Sequence, residues 1–353
     1  MTKNLGGPAQ AFPRPGSEPI AIEVTRGPIV ESRHAVDAAV VDAGGELVAA
    51  WGEVERPIYP RSALKPIQAL PLLETGAADG FGLGAREIAL ACASHSGEPV
   101  HVDTVLAWLA RLGLGEGALE CGAHPPRQEQ LFADLVRSGR EPGPAHNNCS
   151  GKHSGMLSHA VHLGEAPAGY VGPGHPVQRR VADAIAGMCE VALDAAPMGV
   201  DGCSIPAYAL PLRALGLGMA RLANPDGLAP QRAAACRRIA EAMWREPYMV
   251  AGHRRACTAV LQAAPGRVLV KTGAEGVFVA GLAGRGLGLA LKVRDGAGRG
   301  AAVALLALLE HLEALDSAAR TALADVAAPA VTSVRGAVVG NLRAAPWRAW
   351  SGF

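Results

Sequence analysis

The segment Ser62-Ala63-Leu64-Lys65, followed directly by Pro66, places a serine and a lysine three residues apart. Proline is tolerated in the first turn of a helix, so a helix is predicted to begin at or near Ser62. Residues three apart share a helix face, which predicts that the Ser62 hydroxyl lies within reach of the Lys65 amine. The positive potential of a helix N-terminus favours both a neutral lysine and a serine alkoxide. The pair is a candidate nucleophile and base, although such a spacing also occurs by chance.

A second segment, Lys271-Thr272-Gly273, ends an apolar strand and opens a hairpin. Penicillin-recognising serine enzymes combine Ser-x-x-Lys with Lys-Thr-Gly and a serine-bearing loop. Ser94 lies between the two segments in the sequence and is the candidate for that loop. Taken alone, the Lys-Thr-Gly segment could be an ordinary hairpin turn and Ser94 a helix cap. The three segments in this order, on these types of element, favour a catalytic interpretation.

The choice of basic residues supports that interpretation. Of the 33 basic residues only five are lysines, namely Lys3, Lys65, Lys152, Lys271 and Lys292. Arginine does not release its proton at working pH, whereas a desolvated lysine can. Each retained lysine is therefore a candidate for a role that needs a neutral amine, with sequence drift as the alternative.

A third candidate site combines the polar run from His146 to Ser154 with Asp201-Gly202-Cys203, about fifty residues further on. The thiolates of Cys149 and Cys203 could form a soft site suited to zinc. The usual zinc-ligand spacings are absent, and free cysteines are often simply buried. Spacing alone leaves both interpretations open.

The pattern of apolar residues predicts an α/β (α+β) fold with an antiparallel sheet formed from both chain ends and a helical lobe inserted between them. Predicted strands cover 20–25, 36–41, 47–51, 267–271, 276–282, 286–293 and 331–340, and predicted helices cover 102–112, 128–137, 175–192, 228–245 and 300–315. We divide the chain into a disordered leader at 1–18, one catalytic domain at 19–340 and a tail at 341–353.

Composition limits the partners and the compartment. A formal net charge of +1 gives no electrostatic reason to expect nucleic acid or a membrane surface as a partner. No apolar run reaches the roughly 18 residues needed to span a bilayer. Seven cysteines without a Cys-x-x-Cys pair argue against a disulfide framework and predict a cytoplasmic location.

Several segments together resemble the rhizobial-type L-asparaginases, also called the asparaginase II family. The resemblance runs from about residue 20 to residue 340, and its most specific segment is Asn147-Asn148-Cys149-Ser150-Gly151-Lys152-His153. The other matching segments are Arg61–Pro66, Cys92–Glu98, Gly199–Cys203 and Lys271–Gly276.

The resemblance implies a fold similar to serine β-lactamases, a homodimer, and hydrolysis of L-asparagine to L-aspartate and ammonia. It implies two Ser–Lys pairs, Ser62 with Lys65 and Ser94 with Lys271. No organic cofactor is expected.

The resemblance also implies a zinc ion that assists substrate binding, with Cys149, Lys152 and Cys203 as its ligands. Arg61, His153 and Asp201 would then contact the substrate.

Two other functions compete with this interpretation. A β-lactamase, a D,D-peptidase or a glutaminase could use the same fold and the same Ser–Lys pairs. The thiol-bearing segment around Cys149 distinguishes this chain from penicillin-recognising enzymes. A non-catalytic zinc-binding module is disfavoured because Ser62, Lys65, Ser94 and Lys271 are all present.

Overall fold

A computed structural model describes residues 18–346 of the chain. Its strands are β1 (Ile20–Arg26), β2 (Ile29–Asp42), β3 (Leu47–Trp51), β4 (Pro57–Ile58), β5 (Met198–Val200), β6 (Pro206–Tyr208), β7 (Leu210–Pro211), β8 (Val268–Thr272), β9 (Val277–Leu282), β10 (Leu287–Val293), β11 (Ala330–Thr332) and β12 (Val338–Ala344). Its α-helices are α1 (Lys65–Gln68), α2 (Leu70–Glu74), α3 (Ala77–Gly80), α4 (Ala85–Ala91), α5 (Pro99–Arg111), α6 (Glu129–Arg137), α7 (Ser150–His162), α8 (Pro176–Cys189), α9 (Leu212–Ala223), α10 (Pro230–Arg245), α11 (Pro247–Ala251), α12 (Ala256–Ala263), α13 (Gly298–His311), α14 (Ser317–Ala322) and α15 (Ala324–Ala327).

The main sheet has the strand order β11-β12-β1-β2-β10-β9-β8, and β3 also pairs with β2. All of these pairs are antiparallel. The central pair joins the two ends of the chain, because β2 runs alongside β10 from Val36 opposite Val293 to Asp42 opposite Leu287. The predicted sheet from both chain ends is therefore confirmed.

Helices cover both faces of this sheet. A Cβ on Gly216 of α9 would lie 3.0 Å from Val41, whereas a Cβ on Gly300 of α13 would lie 3.5 Å from His34. Val41 and His34 are seven residues apart on β2 and so point to opposite faces. Coverage on both faces explains why every residue of β9 is buried. It also explains why residue 288 is glycine, since a Cβ there would lie only 1.9 Å from the Gly216 carbonyl oxygen of α9.

The helical lobe between β4 and β8 contains four of the five predicted helices, and the fifth, predicted at 300–315, is α13 after β10; their ends shift by a few residues. Helix α5 illustrates why they form: Pro99 occupies the first turn, and the His101 ring accepts the Glu98 N–H at 3.3 Å. Its buried stripe, which includes Val102 and Val105, follows the predicted helical face. Burying that stripe against the lobe is what stabilises a helix of this length.

The predicted strand at 331–340 is two short strands, β11 and β12, separated by a turn that contains Gly336 at a φ of 84°. Strand β12 continues to Ala344, which pairs with Ile22 of β1. Residues 341–344 of the predicted tail therefore belong to the sheet. Residues 1–17 of the predicted leader at 1–18 and residues 347–353 of the predicted tail lie outside the described residues. Within 18–346, no helix is long and apolar enough to cross a bilayer.

Candidate active site

Ser94 lies between two buried lysine amines. Its Oγ is 3.0 Å from Lys65 Nζ and 2.8 Å from Lys271 Nζ. Both lysines are fully buried, which is rare for this residue type. Three residues that are far apart in the sequence therefore form one hydrogen-bonded chain.

Each member of this chain is placed by a different element. Lys65 is the first residue of α1 and follows a 3₁₀ turn at Arg61–Leu64, which confirms the predicted helix start near Ser62. Lys271 is on β8, one residue from its end. Ser94 follows α4, and its N–H donates to the Val250 carbonyl at 3.0 Å. The site therefore exists only when the sheet and the lobe have both formed.

Ser62 and Lys65 share the first helical turn, but their side chains do not pair. Among residues 18–346, the Lys65 amine is hydrogen-bonded to the carbonyls of Ala93 and Asn148, the hydroxyl of Ser94 and the thiol of Cys149. Ser62 is half-buried and lines the neighbouring cavity together with Ser94. The structure thus brings Lys65 to Ser94 and leaves Ser62 facing open space.

Burial makes both amines easier to deprotonate. Burial lowers the pKa of Lys271 to about 7, and the positive charges of Lys65 and Arg255 act in the same direction. Burial likewise lowers the pKa of Lys65 below its ordinary value. A neutral amine that accepts a hydroxyl proton is the state required of a general base.

The cavity beside these groups has a volume of about 400 Å³. Ser62 and Ser94 lie in its wall, and the turn after β8 supplies Thr272, Gly273 and Ala274. The remaining lining residues are Arg127, Asn148, Arg255, Ala256, Cys257, Glu275, Gly276, Val277, Phe278, Gly296, Gly298, Ala301 and Ala302. The cavity is large enough for an amino acid beside the two serines.

The three predicted zinc ligands lie together next to Lys65. Lys152 Nζ is 3.1 Å from Cys203 Sγ, and the thiols of Cys149 and Cys203 are hydrogen-bonded to each other. That hydrogen bond and the nearby amines hold the pKa of Cys149 well below its ordinary value. Burial opposes ionisation of Lys152, but the two thiol groups raise its pKa above its ordinary value. Lys152 therefore differs from Lys65 and Lys271, whose surroundings favour the neutral amine.

This donor set is chemically suited to a soft cation. Within the described part of the chain, no group of three or more His, Cys, Asp or Glu side chains could hold a metal. A metal at Cys149 and Cys203 would therefore need Lys152 as a further ligand. Two buried thiols and an amine in contact fit zinc, provided that the amine loses its proton on binding.

Close packing of two helices sets the position of this group. A Cβ on Gly151, next to Lys152 on α7, would lie 2.3 Å from the Leu90 carbonyl oxygen of α4. Only glycine permits this approach, which brings Asn148 and Cys149 to the Lys65 amine.

Arg61 and Asp201 form an ion pair beside the site, with Arg61 Nε 2.7 Å from Asp201 Oδ1. Arg61 has a φ of 53°, a left-handed conformation that costs a non-glycine residue about 1–3 kcal/mol. Burial opposes the ionised form of Asp201, but Lys152 and Arg61 hold its pKa below its ordinary value.

His153 is fully buried and lies edge-on to the Tyr170 ring, with its Nδ1 hydrogen-bonded to the Tyr170 hydroxyl. His153, Arg61 and Asp201 are absent from the described lining of the cavity. Their predicted contact with substrate stays a prediction.

Sequence reasoning missed three charged residues of the cavity, Arg127, Arg255 and Glu275. Arginine is common in this chain, so its presence at 127 and 255 gave no signal. Glu275 stood inside the quoted Lys271–Gly276 segment, and its proximity to Lys271 was the available clue.

The sequence model of the L-asparaginase II family matches residues 22–344. No curated protein matches the chain. Solved structures similar to it include Mglu (13% identity, TM-score 0.45, covering 79% of this chain and 67% of that one) and Mglu in its native form (15%, 0.45, 80% and 65%). Another is a β-lactamase from Mycobacterium bovis (15%, 0.38, 83% and 95%). The chain thus spans about two thirds of the length of the Mglu chains.

We expect Lys271→Met to stabilise the fold in a pH-dependent way. The folded-state pKa of Lys271, about 7, lies below the ordinary value of 10.5, so the unfolded chain holds this proton more tightly. The cost of the buried amine is complete below pH 7 and disappears as pH rises towards 10.5. Thermal unfolding at pH 6 and pH 10 should show Lys271→Met more stable than the native chain at pH 6, with the difference shrinking at pH 10. A gain that is equal at both pH values would contradict the lowered pKa.

Proposed function

We propose that this chain, which belongs to the L-asparaginase II family, hydrolyses L-asparagine to L-aspartate and ammonia through a serine acyl-enzyme. The family makes the chain an amidohydrolase, and the substrate and the mechanism are the proposal. The observation that carries it is the contact of one hydroxyl, Ser94 Oγ, with both Lys65 Nζ and Lys271 Nζ. Such a chain can remove a proton from a nucleophile and return it to a leaving group.

Ser62 is the residue that we assign as the nucleophile. It is half-buried and lines the cavity, so a carbonyl carbon can approach its Oγ. Its N–H lies in the first helical turn, where no acceptor is available within the helix, and can donate to the developing oxyanion. Ser94, by contrast, is only 6% exposed, and its Oγ is hydrogen-bonded to both Lys65 Nζ and Lys271 Nζ, which leaves less room for a substrate carbon.

The two lysines and Ser94 then handle the protons. Two contacts of Lys65 are carbonyl oxygens, which only accept, so a neutral Lys65 keeps its lone pair for a hydroxyl proton. The Ser62 side chain, which does not contact Lys65 in the structure, must turn towards Lys65 Nζ in this scheme. Ser62 Oγ then attacks the amide carbon, and its proton passes to Lys65. Ser94 and Lys271 relay a proton to the departing nitrogen, which leaves as ammonia. Water then cleaves the ester by the same route, releasing L-aspartate and restoring Ser62.

Zinc would serve substrate binding in this scheme. Cys149, Lys152 and Cys203 would hold it, and the bound ion would act as a Lewis acid towards a substrate oxygen. Ser62 already supplies the nucleophile and the two buried lysines supply the bases, so the ion is not needed to generate them. Asp201, two residues before Cys203, forms its ion pair with Arg61 beside this group. The homodimer stays a prediction.

Ammonia release from L-asparagine and L-glutamine, measured beside turnover of a chromogenic β-lactam, tests the substrate class. We expect kcat/KM to be highest for L-asparagine on the strength of the family match, because a cavity of about 400 Å³ has room for either amino acid. Preference for L-glutamine would support the glutaminase alternative. Turnover of the β-lactam with no ammonia from either amino acid would overturn the proposal.

Ser62→Ala should lower kcat by several orders of magnitude, as other nucleophile deletions do. Mass spectrometry of the wild-type enzyme quenched during turnover should find the acyl group on the peptide that contains Ser62. Ser94→Ala should slow acylation while leaving the acyl group at Ser62. An acyl group on Ser94, or a Ser62→Ala enzyme with near-normal turnover beside an inactive Ser94→Ala enzyme, would reverse the assignment.

Cys203→Ser should lose zinc and raise KM for L-asparagine, with a smaller effect on kcat, because substrate binding is what the ion supports. Elemental analysis of the purified protein provides the readout that is independent of activity. Cys236→Ser is the matched control, since Cys236 is also a buried thiol but lies on α10. Metal-free wild-type protein with full activity and an unchanged KM would exclude the zinc site.

A further inference from the structure

The cavity is lined by charged side chains of both signs. Among its described lining residues, Arg127 and Arg255 are the only guanidinium groups and Glu275 is the only carboxylate. An amino acid carries one group of each sign on its α-carbon. The side chains in the wall therefore match the α-carboxylate and α-ammonium of a free amino acid.

Arg255 is held next to the serine chain. Its Nη1 lies 3.4 Å from the Ser94 carbonyl oxygen and 3.4 Å from Ser96 Oγ. The backbone N–H of Arg127 donates to the Ser96 carbonyl at 2.9 Å, so the Ser94–Ser96 segment contacts the side chain of Arg255 and the main chain of Arg127. A carboxylate bound between them would sit beside the reacting group.

Neither guanidinium group forms a direct ion pair among residues 18–346, although the Glu98 carboxylate, more than 4.0 Å away, raises the pKa of Arg255. Neither Arg127 nor Arg255 is within 4.0 Å of a carboxylate of residues 18–346. Burial lowers the pKa of Arg255, and the charge of Arg127 lowers it further. Two like charges held close without a direct ion-pair partner favour binding of an anion, and guanidinium binds carboxylate in a bidentate geometry.

Glu275 is fixed in an unusual backbone conformation. Its φ is 53°, and the turn that holds it is closed by the Gly273 N–H donating to the Val277 carbonyl at 2.7 Å. Such strain in a non-glycine residue persists where the surrounding structure enforces it, often at ligand sites. Its Oε2 would lie 2.7 Å from a Cβ on Gly296, so the lack of a side chain at 296 leaves room for the carboxylate.

We propose that Arg127 and Arg255 bind the α-carboxylate of the substrate and that Glu275 binds its α-ammonium group. This inference rests on the proposed function, since it describes how the same cavity selects a free amino acid. The side-chain amide would then be directed towards Ser62 and Ser94. Peptides and N-acylated amides, which lack one of the two charges, would bind poorly.

Calorimetric binding of L-aspartate, the product, tests the inference without turnover. Succinate lacks the ammonium group, and β-alanine lacks the α-carboxylate. Loss of a charged hydrogen bond costs roughly 10- to 100-fold in affinity. We expect Arg255→Gln to lower the affinity for L-aspartate by this factor and the affinity for β-alanine by less than about threefold. Glu275→Gln should lower the affinity for L-aspartate but not the affinity for succinate.

Kinetics with L-asparagine give the second readout. Arg255→Gln and Glu275→Gln should raise KM by about 10-fold or more while kcat falls by less, and Arg255→Lys should recover part of the loss. Arg254→Gln is the matched control for an exposed neighbouring arginine, and Glu313→Gln is the control for an exposed glutamate with a similar φ of 52°. Both controls should match the wild-type enzyme.

Three results would overturn the inference. The first is a KM for L-asparagine within twofold of the wild-type value in both Arg255→Gln and Glu275→Gln. The second is a fall in kcat without a change in KM, which would mean that Arg255 only holds the Ser94 loop. The third is equal weakening of L-aspartate and of the analogue that lacks the relevant charge. If the wild type binds L-aspartate with the expected pattern but releases no ammonia from L-asparagine, the proposed function fails and the inference stands.

Discussion

Two lysine amines buried on either side of one serine hydroxyl are the constraint on which the rest of the structure depends. Burying Lys65 and Lys271 is unfavourable unless each amine finds acceptors, and the carbonyls of Ala93, Asn148 and Thr272 provide them. Those carbonyls come from the loop after α4, the loop before α7 and the end of β8. The fold must therefore hold three distant segments within hydrogen-bond distance of two amines.

The same burial gives these amines their chemistry. A lysine on the surface would stay protonated and could not accept a proton from serine, whereas the pKa of Lys271 falls to about 7. Lys152 is equally buried, but its pKa is raised, because the two cysteines next to it favour its charged form. The charges next to a buried lysine, more than its degree of burial, therefore decide whether its amine is suited to act as a base or to pair with thiols.

The sequence predicts the sheet, the main helices and the residue types of the site, because periodicity and motif spacing are local properties. It could not predict that Lys65 pairs with Ser94 in place of Ser62. That choice depends on where the Ala93 and Asn148 carbonyls lie, and both contacts span long sequence separations. Arg127, Arg255 and Glu275 escaped notice for the same reason, since only the folded chain brings them into one cavity.

The pairing of β2 with β10 has a consequence for synthesis on the ribosome. Strand β2 leaves the ribosome about 250 residues before β10, and until then its central, apolar edge has no partner on that side. Pairing across such a separation is slow, and an unpaired strand edge invites association with other chains. Expression at high temperature should therefore favour aggregation of the nascent chain, because this edge stays unpaired longest.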